Sequence, residues 1–188
     1  IRITKMITTQ KDGYWKLLRW EAKNTKIIVD YAGSGIRVYG GAYVFVLTGT
    51  LNIEKSNQYK TVGGNSFPPT TTLTDFLATK NAGVIFDGNK HEVSYIQCRG
   101  FNVGALFNAT VGNMNYSKHN IIAEGNDVGV LIFGTGNDLS VIKSEIAAGG
   151  NFQEAIYVKD GVNFRQWVCR FQAENNLLDR TNDPSVAG

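Results

Sequence analysis

Two stretches of the chain, residues 121–133 (IIAEGNDVGVLIF) and 146–158 (IAAGGNFQEAIYV), repeat one pattern of apolar and turn residues at an interval of 25 positions. Asparagines recur at the same interval, at Asn126, Asn151 and Asn176. Glycines recur at steps of 24, 24 and 25 positions, at Gly88, Gly112, Gly136 and Gly161. A regular period of this size indicates a repeat architecture.

Each repeat contains two short apolar runs bounded by Gly, Asn or Asp. One kind reads Gly104-Ala-Leu-Phe and Gly129-Val-Leu-Ile-Phe, and the other is centred on Ile121-Ile122 and Val141-Ile142. Short runs rich in Val, Ile and Phe favour strands. A helical repeat would need uninterrupted amphipathic stretches of about 10 residues, and a leucine-rich repeat would show its Leu-x-x-Leu-x-Leu signature. The sequence therefore predicts a parallel β-solenoid with coils of about 25 residues, whose equivalent strands pair about 4.8 Å apart.

Stacking the coils on their asparagines predicts which residues pair. Three columns fall on the inner face: Ile121/Ile146/Phe171, Ser117/Ile142/Trp167 and His119/Ser144/Cys169. By alternation, two columns point outward: Lys118/Lys143/Val168 and Asn120/Glu145/Arg170. We expect the asparagines to form sharp corners, where asparagine tolerates a left-handed backbone. Their side chains are then placed to bond from one coil to the next.

This pattern resembles the right-handed parallel β-helix of pectate-lyase-like proteins, and among these the phage tailspike and capsule-depolymerase group. The resemblance rests on residues 104–176, with a weaker coil at 83–100, and covers about half of the chain. It implies an all-β, single-stranded, right-handed parallel β-helix. It is specific for architecture, because the group shares a shape more than a motif.

The composition excludes several classes of protein. The net charge of +3 on 188 residues is small and scattered, which argues against a nucleic-acid partner. The sequence has no run of about 18 apolar residues, so we expect no membrane insertion. Cys98 and Cys169 lie about three coils apart, or about 14 Å, which is too far for a disulfide. We therefore predict two free, mostly buried thiols.

The chain is expected to form one domain with four parts. These are residues 1–25 (a strand and a capping helix), 26–82 (irregular early coils), 83–176 (regular coils) and 177–188 (a tail). The amphipathic pattern from Asp12 to Lys23 predicts the helix, which would cover the apolar end of the solenoid. A loop excursion is expected at 56–74, followed by a short helical turn from Thr74 to Lys80. Such insertions often build the binding face of a solenoid.

Cleavage of a polysaccharide would require carboxylates on an outer sheet face. A hydrolase pair needs a separation of roughly 5–9.5 Å, and a lyase would hold Ca²⁺. Our candidates are Glu145 on an outward column, Glu154 just past the Asn151 corner, and Asp127, a neighbour of Glu154 on the previous coil. Most carboxylates on such faces are simply solvated. No nucleophile elbow or cluster with zinc spacing is present, so no cofactor is expected apart from Ca²⁺ in a lyase.

Sugar binding requires exposed aromatic rings with hydrogen-bonding side chains around them. The candidates for this role are Tyr116, Tyr157, Lys143, Arg165 and Arg170. Tyrosines in strands are more often packing residues, so a purely structural role for these tyrosines is the alternative to sugar binding.

The resemblance implies a phage tailspike- or tail-fibre-like protein that recognises a bacterial surface polysaccharide, as a homotrimer, in the virion tail or outside the cell. Two alternatives remain open. One is a secreted polysaccharide lyase or glycoside hydrolase of the same fold. The other is a structural or adhesive solenoid segment without a site of its own.

Overall fold

The computed structural model describes residues 6–11, 14–23, 26–38, 43–48, 50–63, 72–87, 92–108, 117–133, 138–158 and 163–174. Along them the chain forms strands and one short helix. In order these are β1 (Met6–Lys11), β2 (Tyr14–Lys23), β3 (Lys26–Val29), β4 (Ile36–Val38), β5 (Tyr43–Thr48), β6 (Leu51–Lys55), α1 (Leu73–Thr79), β7 (Ala82–Asp87), β8 (Glu92–Arg99), β9 (Val103–Asn108), β10 (Ser117–Glu124), β11 (Val128–Phe133), β12 (Asp138–Gly149), β13 (Ile156–Val158) and β14 (Asn163–Glu174).

The strands form two sheets that stack as a parallel β-solenoid, as the sequence predicts. The large sheet follows the order β1-β2-β5-β8-β10-β12-β14, with β3 and β6 joined beside this path. The small sheet follows the order β13-β11-β9-β7-β4. From β7 onward the chain alternates between the two sheets, so each strand pairs with its equivalent in the next coil. The early strands join the same two sheets, β4 in the small sheet and β3, β5 and β6 in the large one.

The predicted columns are confirmed by the strand register. β10 pairs with β12 and β12 with β14, which aligns Ile121 with Ile146 and Phe171, and His119 with Ser144 and Cys169. Asn120, Glu145 and Arg170 also share one column. The period of 25 residues thus identifies which residues are neighbours in space.

The prediction of a helix from Asp12 to Lys23 is wrong. Residues Tyr14–Lys23 form β2, which pairs antiparallel with β1 and parallel with β5. The sequence also alternates apolar and polar residues from Leu18 to Lys23, the period of a strand. The segment therefore carries both a helical and a strand pattern. Pairing with β1 and β5 decides for the strand, because it provides hydrogen-bond partners for the backbone N–H and C=O groups.

The core fills the space between the two sheets. It is built from inward residues of both, such as Ile53, Ile96 and Ile121 from the large sheet and Phe86 and Phe107 from the small sheet. The rings of Phe86 and Phe107 lie 5.1 Å apart on adjacent coils. Cys98 is a free thiol in this core, as predicted, and burial raises its pKa. The side chain of Cys169 lies outside the described residues.

A second cluster covers the outer face of the small sheet. Leu73 and Phe76 of α1 pack against a set of apolar residues from that face: Ala82, Ile85, Val103, Leu106 and Leu131. Because both faces of the small sheet are buried, β7 and β9 are buried at every residue, as in sheets covered on both sides. The short helix expected near 74–80 is confirmed as Leu73–Thr79.

The corners that follow the large sheet use glycine for the left-handed backbone. Gly100, Gly125 and Gly150 have φ of 80°, 62° and 59°. The expectation that asparagine adopts this conformation is therefore wrong, since Asn126 and Asn151 come one residue later. Their side chains are buried and bond along the stack, as the sequence predicts: Asn126 Nδ2 donates to Asn151 Oδ1 at 3.3 Å.

Candidate functional site

The predicted site residues of β12 and β14 lie on the large sheet. Register places Glu145 beside Asn120 and Arg170, and Lys143 beside Val168. The side chains of Lys143, Glu145, Arg165 and Arg170 lie outside the described residues, as does all of Tyr116.

Tyr157 lies on the other sheet. It belongs to β13 and is half-buried against the apolar cluster beneath α1. It therefore belongs to a different sheet from Lys143 and Arg170, and these predicted sugar-binding residues do not form one group.

Asp127 is fully buried, and its carboxylate accepts two hydrogen bonds. Thr61 Oγ1 donates to Asp127 Oδ1 at 2.5 Å, and Asn102 Nδ2 donates to Asp127 Oδ2 at 2.9 Å. Gln153 N donates to the Asp127 carbonyl at 2.7 Å, so the backbone of Asp127 lies against the residue that precedes Glu154. Glu154 is half-buried. Asp127 and Glu154 thus lie on adjacent coils, and the Asp127 carboxylate is held by Thr61 and Asn102.

Thr61 belongs to a segment that runs across the coils, which we call the strap (residues 56–63). Ser56 N donates to Val29 O at 3.2 Å, and Thr61 N donates to Gly100 O at 2.9 Å. Further along, Gly63 lies so close to Phe152 that an added Cβ would meet the ring at 2.9 Å. The strap thus follows the corners of successive coils. It occupies the first part of the excursion expected at 56–74.

An open groove lies between the strap and the ends of the large-sheet strands. We call it the corner groove; its volume is about 410 Å³, and it is lined by Glu54, Lys55, Asn57, Lys60, Arg99, Gly100, Glu124 and Gly125. β6, β8 and β10 position the charged residues, because Glu54 pairs with Arg99 and Arg99 with Glu124 in the strand register. Side chains from three successive strands therefore reach the same groove.

Both carboxylates of the corner groove are ion-paired. Glu54 accepts from Lys26 at 2.7 Å, and Glu124 accepts from Arg99 at 2.5 Å. Gln97 Nε2 also donates to Glu124, at 3.1 Å. These exposed pairs contribute little stability, typically under about 1 kcal/mol, but they compensate both negative charges.

Lys55 is the buried cation of the corner groove, with a relative exposure of 6%. Its ammonium donates to the carbonyls of Tyr31, at 2.5 Å, and Gly33. It also lies 5.3 Å from the ring centres of both Tyr31 and Phe101. Burial lowers the pKa of Lys55, because desolvation disfavours the charged ammonium.

Exposed tyrosines surround the groove and the sheet face that leads to it. Tyr31 is 55% exposed next to Lys55, and Tyr59 on the strap is 38% exposed. Tyr95 on β8 is also 55% exposed. It alternates with buried Ile96 and Cys98, so Tyr95, Gln97 and Arg99 share the outer face. Tyr95 lies four residues from Arg99, which is about 13 Å along an extended strand.

The backbone of Tyr95 is strained. Its φ is 55°, and it is the only non-glycine residue in the described part of the chain with a positive φ. For a bulky side chain this conformation costs of order 1–3 kcal/mol and is concentrated at functional sites. No hydrogen bond or ring contact to the Tyr95 side chain occurs among the described residues. The chain therefore holds an exposed aromatic ring on the outer face at an energetic cost.

Sequence reasoning missed the three tyrosines and the corner groove. Tyr59 lies in the excursion at 56–74, and such insertions often build a binding face, so its place in the sequence was a partial indication of its role. Tyr95 lies in the middle of β8, and nothing in the local sequence indicates its positive φ. Lys55 and Lys60 are five positions apart in the sequence, with no spacing that indicates a site.

Neither a metal centre nor a membrane-spanning helix is found in the part of the chain that the structure describes. Comparisons with protein-family models, with curated proteins and with solved structures found no match.

Proposed function

We propose that this β-solenoid binds a polysaccharide along the outer face of its large sheet, from Tyr95 to the corner groove. The observation that carries the proposal is Tyr95, an exposed ring held by a strained backbone on the same face as the polar side chains of Gln97 and Arg99. Sugar rings have apolar faces and hydroxyl rims, so they suit an aromatic platform next to amide and charged groups.

The shape of the site fits an extended ligand. The corner groove is open to solvent, and the outer face of the sheet continues from it along β8. Two more rings are exposed: Tyr31, which lies next to Lys55, and Tyr59, which lies on the strap between Asn57 and Lys60. An enclosed pocket would favour a small molecule, whereas an open track with rings at intervals favours a chain of sugars.

The proposal extends to the biological setting. We propose a tailspike- or tail-fibre-like protein that recognises a bacterial surface polysaccharide, as a homotrimer in a virion tail or outside the cell. The β-solenoid fold supports this assignment through its resemblance to such proteins, and the face described above supplies the binding residues.

A hydrolase is the second candidate, and one observation favours it. Glu54 and Glu124 reach the same groove from strands two steps apart, about 10 Å by strand spacing, close to the separation of carboxylates in inverting glycosidases. However, both are ion-paired, and a general acid must be free to deliver a proton. Binding without cleavage is therefore the better-supported function.

Retention of the protein on immobilised bacterial polysaccharides tests the proposal. We expect the wild type to bind at least one polysaccharide and Tyr95→Ser to bind it at least tenfold more weakly. Val158→Ser is the matched control, because Val158 is 41% exposed on the small sheet, away from the groove. Equal loss in both variants, or no loss in Tyr95→Ser, would contradict the proposed face.

The same samples test for cleavage. Reducing ends or unsaturated uronates released by the wild type and not by Glu124→Gln would establish the hydrolase or lyase alternative. Absence of products together with retention supports binding alone.

A further inference from the structure

Among the residues that the structure describes, carboxylates do not compensate all of the positive charge in the corner groove. Glu54 is matched by Lys26 and Glu124 by Arg99, at 2.7 and 2.5 Å. Lys55 and Lys60 are the two cations of the groove that are left without a carboxylate partner among the described residues. Lys55 donates to carbonyl oxygens, which orient its ammonium without cancelling its charge, and no acidic group in the described residues pairs with Lys60.

The two lysines also lie next to each other. A Cβ added to Gly100 would lie 3.1 Å from the Cβ of Lys60 and 3.2 Å from the Cβ of Lys55. The side chains therefore start on either side of the same glycine, one from β6 and one from the strap. Both lysines line the groove, so an anion bound there would interact favourably with two positive charges.

We propose that the polysaccharide recognised by this chain is acidic, and that the corner groove binds a carboxylate on one of its sugars through Lys60, with Lys55 adding to the local field. This inference rests on the function proposed above. Lys60 is exposed and its stem packs at Gly100, so its ammonium can reach a ligand in the groove. Asn57, which also lines the groove, is placed to donate to a neighbouring hydroxyl.

The charge balance of the groove favours a singly charged carboxylate. Two unmatched cations attract an anion, whereas Glu54 and Glu124 in the same groove repel a densely charged one. A sugar acid with one carboxylate per repeating unit meets both conditions. A polyphosphate backbone, as in nucleic acid, would bring several negative charges close to both glutamates.

Binding to matched pairs of polymers tests the inference. The probes are alginate, hyaluronan and polygalacturonate, each compared with its carboxyl-reduced form, together with neutral dextran, dextran sulfate and single-stranded DNA. We expect retention on at least one uronate polymer and a loss of at least tenfold after carboxyl reduction. Lys60→Gln should weaken binding of the uronate polymer about tenfold and reduce its salt dependence. Lys80→Gln, the same change at the end of α1 on the other sheet, should leave both unchanged.

The outcomes separate the two proposals. If a carboxyl-reduced or neutral polymer binds as tightly as the acidic one and binding still depends on Tyr95, the glycan is neutral and this inference fails while the proposed function stands. If binding follows only total charge, so that dextran sulfate and DNA bind best, specific carboxylate recognition is excluded. If no polymer is retained, both proposals fail.

Discussion

At the scale of single residues, buried asparagines hold the corners together. Asn151 Oδ1 accepts from Asn126 N at 3.1 Å, and Asn151 Nδ2 donates to Ala123 O at 3.2 Å. Asn126 repeats this one coil earlier, accepting from Phe101 N and donating to Cys98 O, both at 3.1 Å. One amide side chain thus satisfies backbone groups of the preceding coil that water cannot reach.

Replacing Asn151 with alanine should destabilise the fold by about 2–4 kcal/mol, because it leaves a buried N–H and a buried carbonyl without partners. Urea unfolding followed by circular dichroism measures this change. Asn57→Ala is the control, since Asn57 is exposed and such changes stay within about 0.5 kcal/mol. Equal midpoints for the two variants would show that the ladder adds nothing.

The buried ammonium of Lys55 predicts a pH dependence. Its pKa in the folded protein lies below the ordinary 10.5, whereas the unfolded chain keeps the ordinary value. Between the two values the unfolded state binds more protons, so the free energy of unfolding rises with pH in that window. We expect the stability of the wild type relative to Lys55→Met to increase as the pH approaches 10.5. Urea titrations of both proteins from pH 7 upward measure it, and a difference that does not change with pH contradicts the burial of the charge.

At the scale of elements, the strap is an irregular segment fixed to the solenoid at separate points. Its ends bond to coils that are distant in sequence, through Ser56 to Val29 and Thr61 to Asp127. The strap also positions Asn57 and Lys60 at the corner groove. Its attachment to buried Asp127 therefore links the packing of a corner to the shape of the proposed binding site.

Thr61→Val should loosen the strap, because it removes the hydroxyl that donates to the Asp127 carboxylate. We expect the amide at position 61, which donates to Gly100 O, to exchange its hydrogen at least tenfold faster. Hydrogen exchange followed by mass spectrometry measures this. Val62→Thr is the control, since Val62 is 79% exposed. Unchanged exchange in Thr61→Val would show that the hydroxyl does not hold the strap.

β8 shows why the strained tyrosine exists. On one side, Val93 and Ile96 pair with Val44 of β5 and Leu51 of β6, so β8 spans a gap between two strands. On the other side they pair with His119 and Ile121, which leaves β8 one residue too long. The extra residue forms a bulge, a feature that re-aims side chains, and the positive φ falls on Tyr95.

At the scale of the whole molecule, stability is passed from coil to coil through close backbone contacts. Gly83, Gly104 and Gly129 are the second residues of β7, β9 and β11, and an added Cβ on each would lie within 2.8 Å of a carbonyl oxygen in the next coil. Each glycine also faces a small residue of the large sheet: Cys98, Ala123 or Ala148. In such stacks each coil is stabilised mainly by its neighbours.

Gly104→Ala should therefore cost about 3 kcal/mol, because the new Cβ would lie 2.6 Å from Gly129 O and 2.7 Å from the Cβ of Ala123. Gly125→Ala is the matched control: it has a positive φ but no atom within 4 Å of the new Cβ, so only backbone strain of about 1 kcal/mol is expected. Thermal unfolding should give a clearly lower Tm for Gly104→Ala. A Tm as low or lower for Gly125→Ala would show that backbone strain, and not the contact between coils, limits stability.

The repeat in the sequence predicts the solenoid, its period and the register of β10, β12 and β14, because each coil contacts its neighbours at a fixed interval. The buried asparagines follow from the same repeat. Local pattern failed at Tyr14–Lys23, where pairing with β1 and β5 overrides a helical spacing. The tertiary structure decided the rest of the candidate site. Lys60 reaches Lys55, Arg99 and Glu124 only because the strap crosses the coils, and Tyr95 is displayed only because β8 must match two unequal neighbours. Neither relation has a fixed interval in the sequence, so periodicity could not reveal it.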